Sequence, residues 1–341
     1  LNEPVPQHVL ITGGAGYLGS MLAASLLARG HRVTVLDRLL FGGESLLPLM
    51  GAPGFTFVRG DVTKAEDVRR AFSSAGKIRP EAVVHLAALV GFPACEQAGR
   101  AEAFRVNVGG LQTVLDVAEA MGAKRVIFAS TYSIYGKAPD GKLVDESTPP
   151  NPQSIYAESK LEAERVLLEA RRDLSLAAII FRLATLFGCS GRMRFDLMVN
   201  QFVLDAYLNR ELILFNSHRK RSFLHLRDAL EAFRLAIEAP GGDVHGRILN
   251  LGHAECNRSK MEVAETIQRM MPDLRVIEKR LDLNEDTRDA ELDSSLARKA
   301  LGFNPMRSLE DGIQEILAAL QAGLFADPVG ARYRNGPRVM H

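Results

Sequence analysis

Two side chains are spaced for proton transfer: Tyr156 and Lys160, in the stretch Tyr156-Ala-Glu-Ser-Lys160. Four residues apart, they share one face of a helix. A free phenol titrates at about 10, too high for a base at neutral pH. A nearby ammonium favours the phenolate and lowers that value. Such a tyrosine can take a hydroxyl proton while a hydride leaves the same carbon. The lysine can also hold a ribose hydroxyl. Alone, this spacing is common on exposed helices, so its location carries the weight. Upstream, Phe128-Ala129-Ser130-Thr131-Tyr132-Ser133 leaves an apolar run. Hydroxyls at the carboxyl end of a strand are placed to hydrogen-bond an oxygen that is being oxidised.

A site for the hydride acceptor begins near residue 10. The apolar run His8-Val9-Leu10-Ile11 leads into Thr12-Gly13-Gly14-Ala15-Gly16-Tyr17-Leu18-Gly19, and a helical pattern of Leu18, Leu22, Leu26 and Leu27 follows. Glycines at 13, 16 and 19 allow a tight turn and let backbone N–H groups approach a pyrophosphate at the positive end of the helix. A second apolar run, Arg32 to Leu36, ends at Asp37. That is where a carboxylate would hold the adenosine ribose. An acid there repels the extra phosphate of NADP, so the pattern points to NAD despite the neighbouring Arg38.

The positioning elements alternate through the first half. Strands are expected at Phe55–Arg59, Ala82–Leu86, Arg125–Ala129 and Leu176–Phe181, and helices at Lys64–Ser74, Ala103–Met121 and Tyr156–Arg172. Apolar strands separated by helices imply an α/β fold: a doubly wound parallel-sheet Rossmann domain, its ligands beyond the carboxyl ends of the strands. After Phe181 the rhythm weakens. Gly191–Arg194, Ser217–Arg221 and Asp282–Asp289 read as loops lining a second ligand surface. Phe223–Leu226 and Ile248–Leu251 read as strands returning to the sheet. The expected division is 1–181 with 222–252 for the dinucleotide, and 182–221 with 253–341 as a smaller, discontinuous α/β substrate domain. The tail from Gly323 reads as irregular, draped over the body or a neighbour.

Composition narrows the class. The 341 residues are 47% hydrophobic and 24% charged, with a formal net charge of +1. The most basic run, Arg219-Lys220-Arg221, is too short for a nucleic-acid surface. No apolar stretch approaches the roughly 18 residues of a membrane helix, and the N-terminus has neither a basic region nor an apolar signal core. Cys95, Cys189 and Cys256 are scattered without metal-ligand spacing. A cytoplasmic protein without metal, nucleic-acid or membrane partners is expected.

Taken together, the glycine stretch, Asp61-Val62, His85-Leu86-Ala87-Ala88, Ser130-Thr131 with Tyr135-Gly136, and Tyr156-x-x-x-Lys160 resemble the extended short-chain dehydrogenase/reductases. They are more narrowly similar to the NAD-dependent epimerases and dehydratases of nucleotide sugars. The likeness runs from about residue 8 to residue 320 and includes Arg221-Ser-Phe-Leu-His225-Leu-Arg-Asp228, Asn250-Leu-Gly252 and Leu301-Gly302-Phe303-x-Pro305. It implies that Gly13, Gly16 and Gly19, with Tyr17 and Leu18 beside them, hold the pyrophosphate. Asp37 holds the adenosine ribose, Asp61 and Val62 the adenine, and Leu86, Ala87 and Ala88 line the cofactor cleft. Tyr156 is the base, Lys160 its electrostatic partner, and Thr131 the catalytic hydroxyl. Arg221 and Arg288 match arginines that grip the diphosphate of the sugar nucleotide; guanidinium forks suit that task. Asn107, His85 and His225 match structural positions.

Departures from the family pattern bear on the reaction. The resemblance implies two acids after the catalytic threonine in sugar 4,6-dehydratases, and a glutamate there in sugar-acid decarboxylases. This chain has Tyr132 and Ser133. Thr185 replaces the family's substrate-binding asparagine. The unusual stretch from Arg192 to Asn200 offers Arg192, Arg194 and Asn200 to the substrate; its two cations would suit a carboxylate, and a solvated basic loop accounts for them equally well. The expectation is an NAD-dependent nucleotide-sugar epimerase acting at C4, with NAD kept bound and Tyr132 facing the substrate. A 4-ketoreductase or dehydratase is the alternative, and a non-catalytic nucleotide sensor the rival of another class. A homodimer paired through the two long helices is implied.

Overall fold

The computed structural model describes residues 6–76, 78–138, 143–170, 176–240, 245–279 and 290–336. Its first five strands are β1 (His8–Thr12), β2 (Arg32–Asp37), β3 (Phe55–Arg59), β4 (Ala82–His85) and β5 (Arg125–Thr131). They are followed by β6 (Leu143–Val144), β7 (Ala177–Leu183), β8 (Thr185–Phe187), β9 (Glu211–Phe215), β10 (Lys220–His225) and β11 (Arg247–Leu251). The last three are β12 (Asn257–Ser259), β13 (Arg275–Lys279) and β14 (Glu291–Leu292). Seven of them form one parallel sheet in the order β11-β7-β5-β4-β1-β2-β3. β1 and β5 are buried along their whole length because helices cover both faces, which is why they read as unbroken apolar runs. The strand pleat divides the core. Val9, Ile11, Val84 and Ile127 pack on one face, and Leu10, Val83, Val126 and Phe128 on the other.

The chain runs outward from β1 to β3, then returns to place β4 on the other side of β1. The crevice at this reversal lies beyond the strand ends, where open α/β sheets bind ligands. Helix α1 (Tyr17–Ala28) follows β1 directly. Helix α2 (Ala65–Ser73) follows β3, and α3 (Phe92–Ala98) follows β4.

Three expectations change. The helix expected over Ala103–Met121 is α4 (Arg100–Phe104) and α5 (Gly110–Ala120) joined by a π turn, Arg105–Gly109. The buried Asn107 side chain sits within this wider turn. It accepts from Leu89 N–H at 2.7 Å and donates to Leu89 O at 3.1 Å and Ser159 Oγ at 2.9 Å. Helix α6 spans Ile155–Ala170; the end of the expected helix at Arg172 lies outside the described residues. Ile248–Leu251 does join the large sheet, beside β7, but Phe223–His225 does not. β10 pairs with β8 and β12 in a separate three-stranded sheet, because the chain leaves β7 at Ala184 and offers Thr185–Phe187 as a new edge. Lys220 and Arg221, expected in a loop, begin that strand. Two further pairs, β13-β9 and β14-β6, complete the smaller elements. Among the described residues, no helix is long and apolar enough to cross a membrane.

Candidate active site

One cleft runs along the strand ends from Asp37 and Asp61 to Tyr156 and Lys160, with Gly13, Gly16, Tyr17, Leu18 and Gly19 along its floor. The floor is backbone held at close range. Gly13 sits at φ +72°, and a Cβ there would lie 2.7 Å from Ala87 N. A Cβ on Gly19 would meet Gly13 O at 2.5 Å. Only glycine fits either place. Gly16 begins α1 without a side-chain cap, so the N–H groups of the first turn face the cleft floor. This cradle fits a dinucleotide pyrophosphate.

At one end, Asp37 accepts from Ala15 N–H at 3.0 Å and Leu39 N–H at 2.7 Å. Burial raises its pKa, with those amides, Arg192 and Arg38 opposing. Asp61 is pulled the other way: despite some burial, hydrogen bonds from Thr63 and the charges of Arg38 and Arg105 hold it below the ordinary carboxylate range. Val62 is buried beside Gly110. The far wall is Leu86, Ala87 and Ala88. Thr12 fixes it, accepting from Leu86 N–H at 3.1 Å on its carbonyl and from Ala87 N–H at 3.3 Å on its hydroxyl.

At the other end, Tyr156 lies in the first turn of α6 and Lys160 one turn on; both line the cleft. The Lys160 ammonium lies 4.2 Å from the centre of the Phe128 ring. Burial brings its pKa down to about 7, opposed by the charges of Glu164 and Cys95. His85, behind it, falls to about 3 through burial and the Lys160 charge, so it is a neutral ring held by Thr12 Oγ1 at 2.9 Å. Glu164, one turn beyond Lys160, is 1% exposed. It pairs with Arg182 Nη2 at 2.7 Å and accepts from Ser130 Oγ. Arg182 also donates to Tyr135 Oη at 2.8 Å, and Tyr135 to Asn250 Oδ1 at 2.8 Å. This buried chain fixes the end of β5 against α6.

The remaining predicted residues separate. Thr131 is buried but does not line the cleft: its hydroxyl caps the turn Tyr132–Tyr135, accepting from Ser133 N–H at 3.2 Å, while Ala129 and Ser130 form the wall. Tyr132 and Thr185 are joined at 3.3 Å, Thr185 donating. Arg192 lines the cleft near Asp37, its guanidinium 4.2 Å from the Phe41 ring centre, so it lies toward the adenosine end. Arg194 occupies the Tyr156 end. It makes a paired bridge to Asp196 at 3.0 and 2.8 Å and faces Tyr156. Burial opposes its charge, but Asp196 and Tyr156 hold its pKa above the ordinary value. Asn200 is fully buried, accepting from Gly188 N–H and donating to Arg194 O and Tyr17 Oη; it braces the loop instead of facing the cleft. Arg221 is buried in β10, away from the cleft lining. Arg288 lies outside the described residues.

The family model described as NAD dependent epimerase/dehydratase matches residues 9–252. The chain belongs to this family. As an epimerase/dehydratase family member, it is 29% identical over 318 residues to a UDP-glucose 4-epimerase of Streptomyces lividans, covering 88% of this chain and 92% of that one. It is 27% identical over 328 residues to a dTDP-glucose 4,6-dehydratase of Streptomyces niveus, covering 90% and 91%. Its fold is similar to that of the UDP-glucose 4-epimerase of Thermotoga maritima bound to UDP-glucose, with a TM-score of 0.82, 26% identity and coverage of 93% and 100%. NAD is the family's cofactor, and the glycine cradle and Asp37 suit it. Sequence reasoning missed the Glu164–Arg182 pair and Asn335, which lines the cleft. A buried glutamate on a helix looks like any exposed one in sequence, and the irregular tail gave a hint of Asn335 without its position.

Proposed function

We propose that the protein is a nucleotide-sugar epimerase acting at C4, with NAD retained through the cycle. One observation carries this reading over dehydration. The described carboxylates lining the cleft are Asp37 and Asp61, both at the adenosine end, and the positions after Thr131 are Tyr132 and Ser133. Elimination needs an acid and base at adjacent carbons, whereas epimerisation needs one proton carrier at one hydroxyl. Gly13, Gly16, Gly19 and Asp37 would hold NAD, which when bound would supply a reversible hydride acceptor for C4, through a transient 4-ketone of the sugar. Tyr156 takes the C4 hydroxyl proton and later gives it back. Lys160, desolvated beside it, supports the phenolate. Thr131 and Tyr132 are assigned to the reacting end through the Thr131 cap and the Tyr132–Thr185 contact. Arg194 is assigned to the sugar, where a guanidinium already oriented by Asp196 suits an anionic group. Arg221 and Arg288 are assigned to the diphosphate, with 182–221 and 253–341 as the substrate-binding part apart from Arg192 and residues 325–336.

The test is a panel of UDP, GDP, CDP and dTDP sugars, with products followed by NMR. Epimerisation gives a C4 epimer with no net change at 340 nm. Consumption of reduced cofactor identifies a reductase, and a 4-keto-6-deoxy product a dehydratase. A homodimer through α4–α5 and α6 is part of the proposal, supported by the way these helices pack side by side through Asn107 and Ser159. Sedimentation at twice the mass of one chain is expected; a monomer at micromolar concentration would remove that part.

A further inference from the structure

The segment after the last helix (Leu309–Gln321) returns across the cleft. The rings of Phe325 and Tyr333 meet Phe195 edge-on, with centres 5.1 and 5.9 Å away. Phe195 N–H donates to Tyr333 O at 2.9 Å, and Asn335 N–H donates to Asp196 Oδ2 at 3.0 Å. Arg192 Nη2 donates to Arg334 O at 3.1 Å. These bonds lay the segment on the 192–196 loop. From there it reaches both banks. On the β2 side, Arg332 pairs with Glu44 at 3.8 Å. On the β4 side, Asn335 Nδ2 donates to Val90 O at 3.3 Å, and Gly336 lies against Pro93 and Ala94. Beneath this crossing, Arg192 and Asn335 line the same cleft as Asp37 and Ala87.

We propose that residues 325–336 form a clasp that holds the dinucleotide in its cleft, with Arg192 and Asn335 as its cofactor-facing side chains. The crossing joins the loop beyond β2, at the adenosine end, to the loop beyond β4, at the nicotinamide end. A dinucleotide lying from Asp37 to Ala87 leaves only when that crossing lifts. The clasp is built to lift: it is tied by two rings, a few hydrogen bonds and one exposed ion pair, and Leu324 before it and Val329 within it are 71% and 49% exposed. Arg192, expected at the sugar, is thereby assigned to the cofactor. The inference rests on NAD binding and is independent of which sugar chemistry follows.

Linkage supplies a test on the unaltered chain. If the closed clasp retains NAD, bound NAD must stabilise the closed clasp by the same factor. Hydrogen exchange at the Phe195 and Asn335 amides is expected to slow at least tenfold when NAD is added without any sugar. Unchanged protection at both would overturn the proposal. Separately, Arg192→Ala and Asn335→Ala proteins loaded with NAD are mixed with excess isotope-labelled NAD, and the bound nucleotide is weighed by mass spectrometry over time. Replacement at least tenfold faster than in the parent, with the melting temperature of the cofactor-free chain unchanged, is expected. Equal rates, or faster release with a lowered melting temperature, would overturn the roles of the two side chains. Because no sugar is present, failure here leaves the epimerase proposal intact.

Discussion

The adenosine half of the cleft is made of backbone, and the half around Tyr156 is made of side chains. In the first, Gly13 and Gly19 leave no room for a methyl group, and two backbone amides hold Asp37. In the second, the geometry depends on a lysine over Phe128, an arginine braced by Asp196, and a Tyr132–Thr185 contact. Backbone geometry follows from the fold, so a site built from it persists wherever the fold does. Side chains change one codon at a time. Relatives at 29% and 27% identity carry different reactions in their names, an epimerase and a dehydratase. Such divergence is what a fixed backbone half and an exchangeable side-chain half allow.

That contrast can be broken in four ways. Tyr156→Phe is expected to lower kcat by about 10²–10⁴-fold while NAD content stays at one per chain; loss of NAD from this variant would dissolve the division. Gly19→Ala should act in the opposite sense, pushing a methyl into Gly13 O at a cost of about 1–3 kcal/mol. Calorimetric titration with NAD would register it as weaker binding, and unaltered affinity would show that the floor yields. Arg194→Ala is expected to raise KM for the sugar nucleotide about tenfold, the effect of losing about 1.4 kcal/mol, with a smaller change in NAD affinity through the clasp that rests on Asp196. A change confined to NAD binding would move Arg194 to the other half.

The smallest effect is on pH. Burial depresses the Lys160 pKa to about 7, below its unfolded value of about 10.4. Between those values the unfolded chain binds the extra proton, so this residue makes stability rise with pH across that window and fall as pH drops toward 7. Melting temperatures of the cofactor-free chain and of Lys160→Met, compared at pH 6, 8 and 9.5, should show a parent curve that gains on the variant as pH rises. Parallel curves would mean that Lys160 is better solvated than its burial implies.

Legibility followed the same division. The large sheet, the glycine turn and Asp37 could be read because each is encoded locally, by an apolar run, a glycine spacing or the residue ending a strand. The pairing of β10 could not, since a three-residue edge such as β8 exists only once the chain has turned at Ala184. Glu164 and Arg182 read as ordinary charges until packing brought them together at 2.7 Å. Arg192 and Arg194 are two residues apart and chemically alike, yet they face opposite ends of the cleft. Their roles depend on the 192–196 loop, whose shape is set by Asn200, Asp196 and the distant Tyr333.

The π turn at Arg105–Gly109 acts as a phase shifter. Each residue advances a helix by about 100°, so one extra residue lets the two stretches it joins point independently. Arg100 can thus reach Glu158 on α6 while Leu111, Val114 and Ala118 stay seated on the sheet. Deleting a single residue here would straighten the rod and swing its outer surface by about a quarter of a revolution. Length changes at this one spot would therefore work as a dial on which stripe of the helix meets the outside, with Asn107 as the fixed pivot.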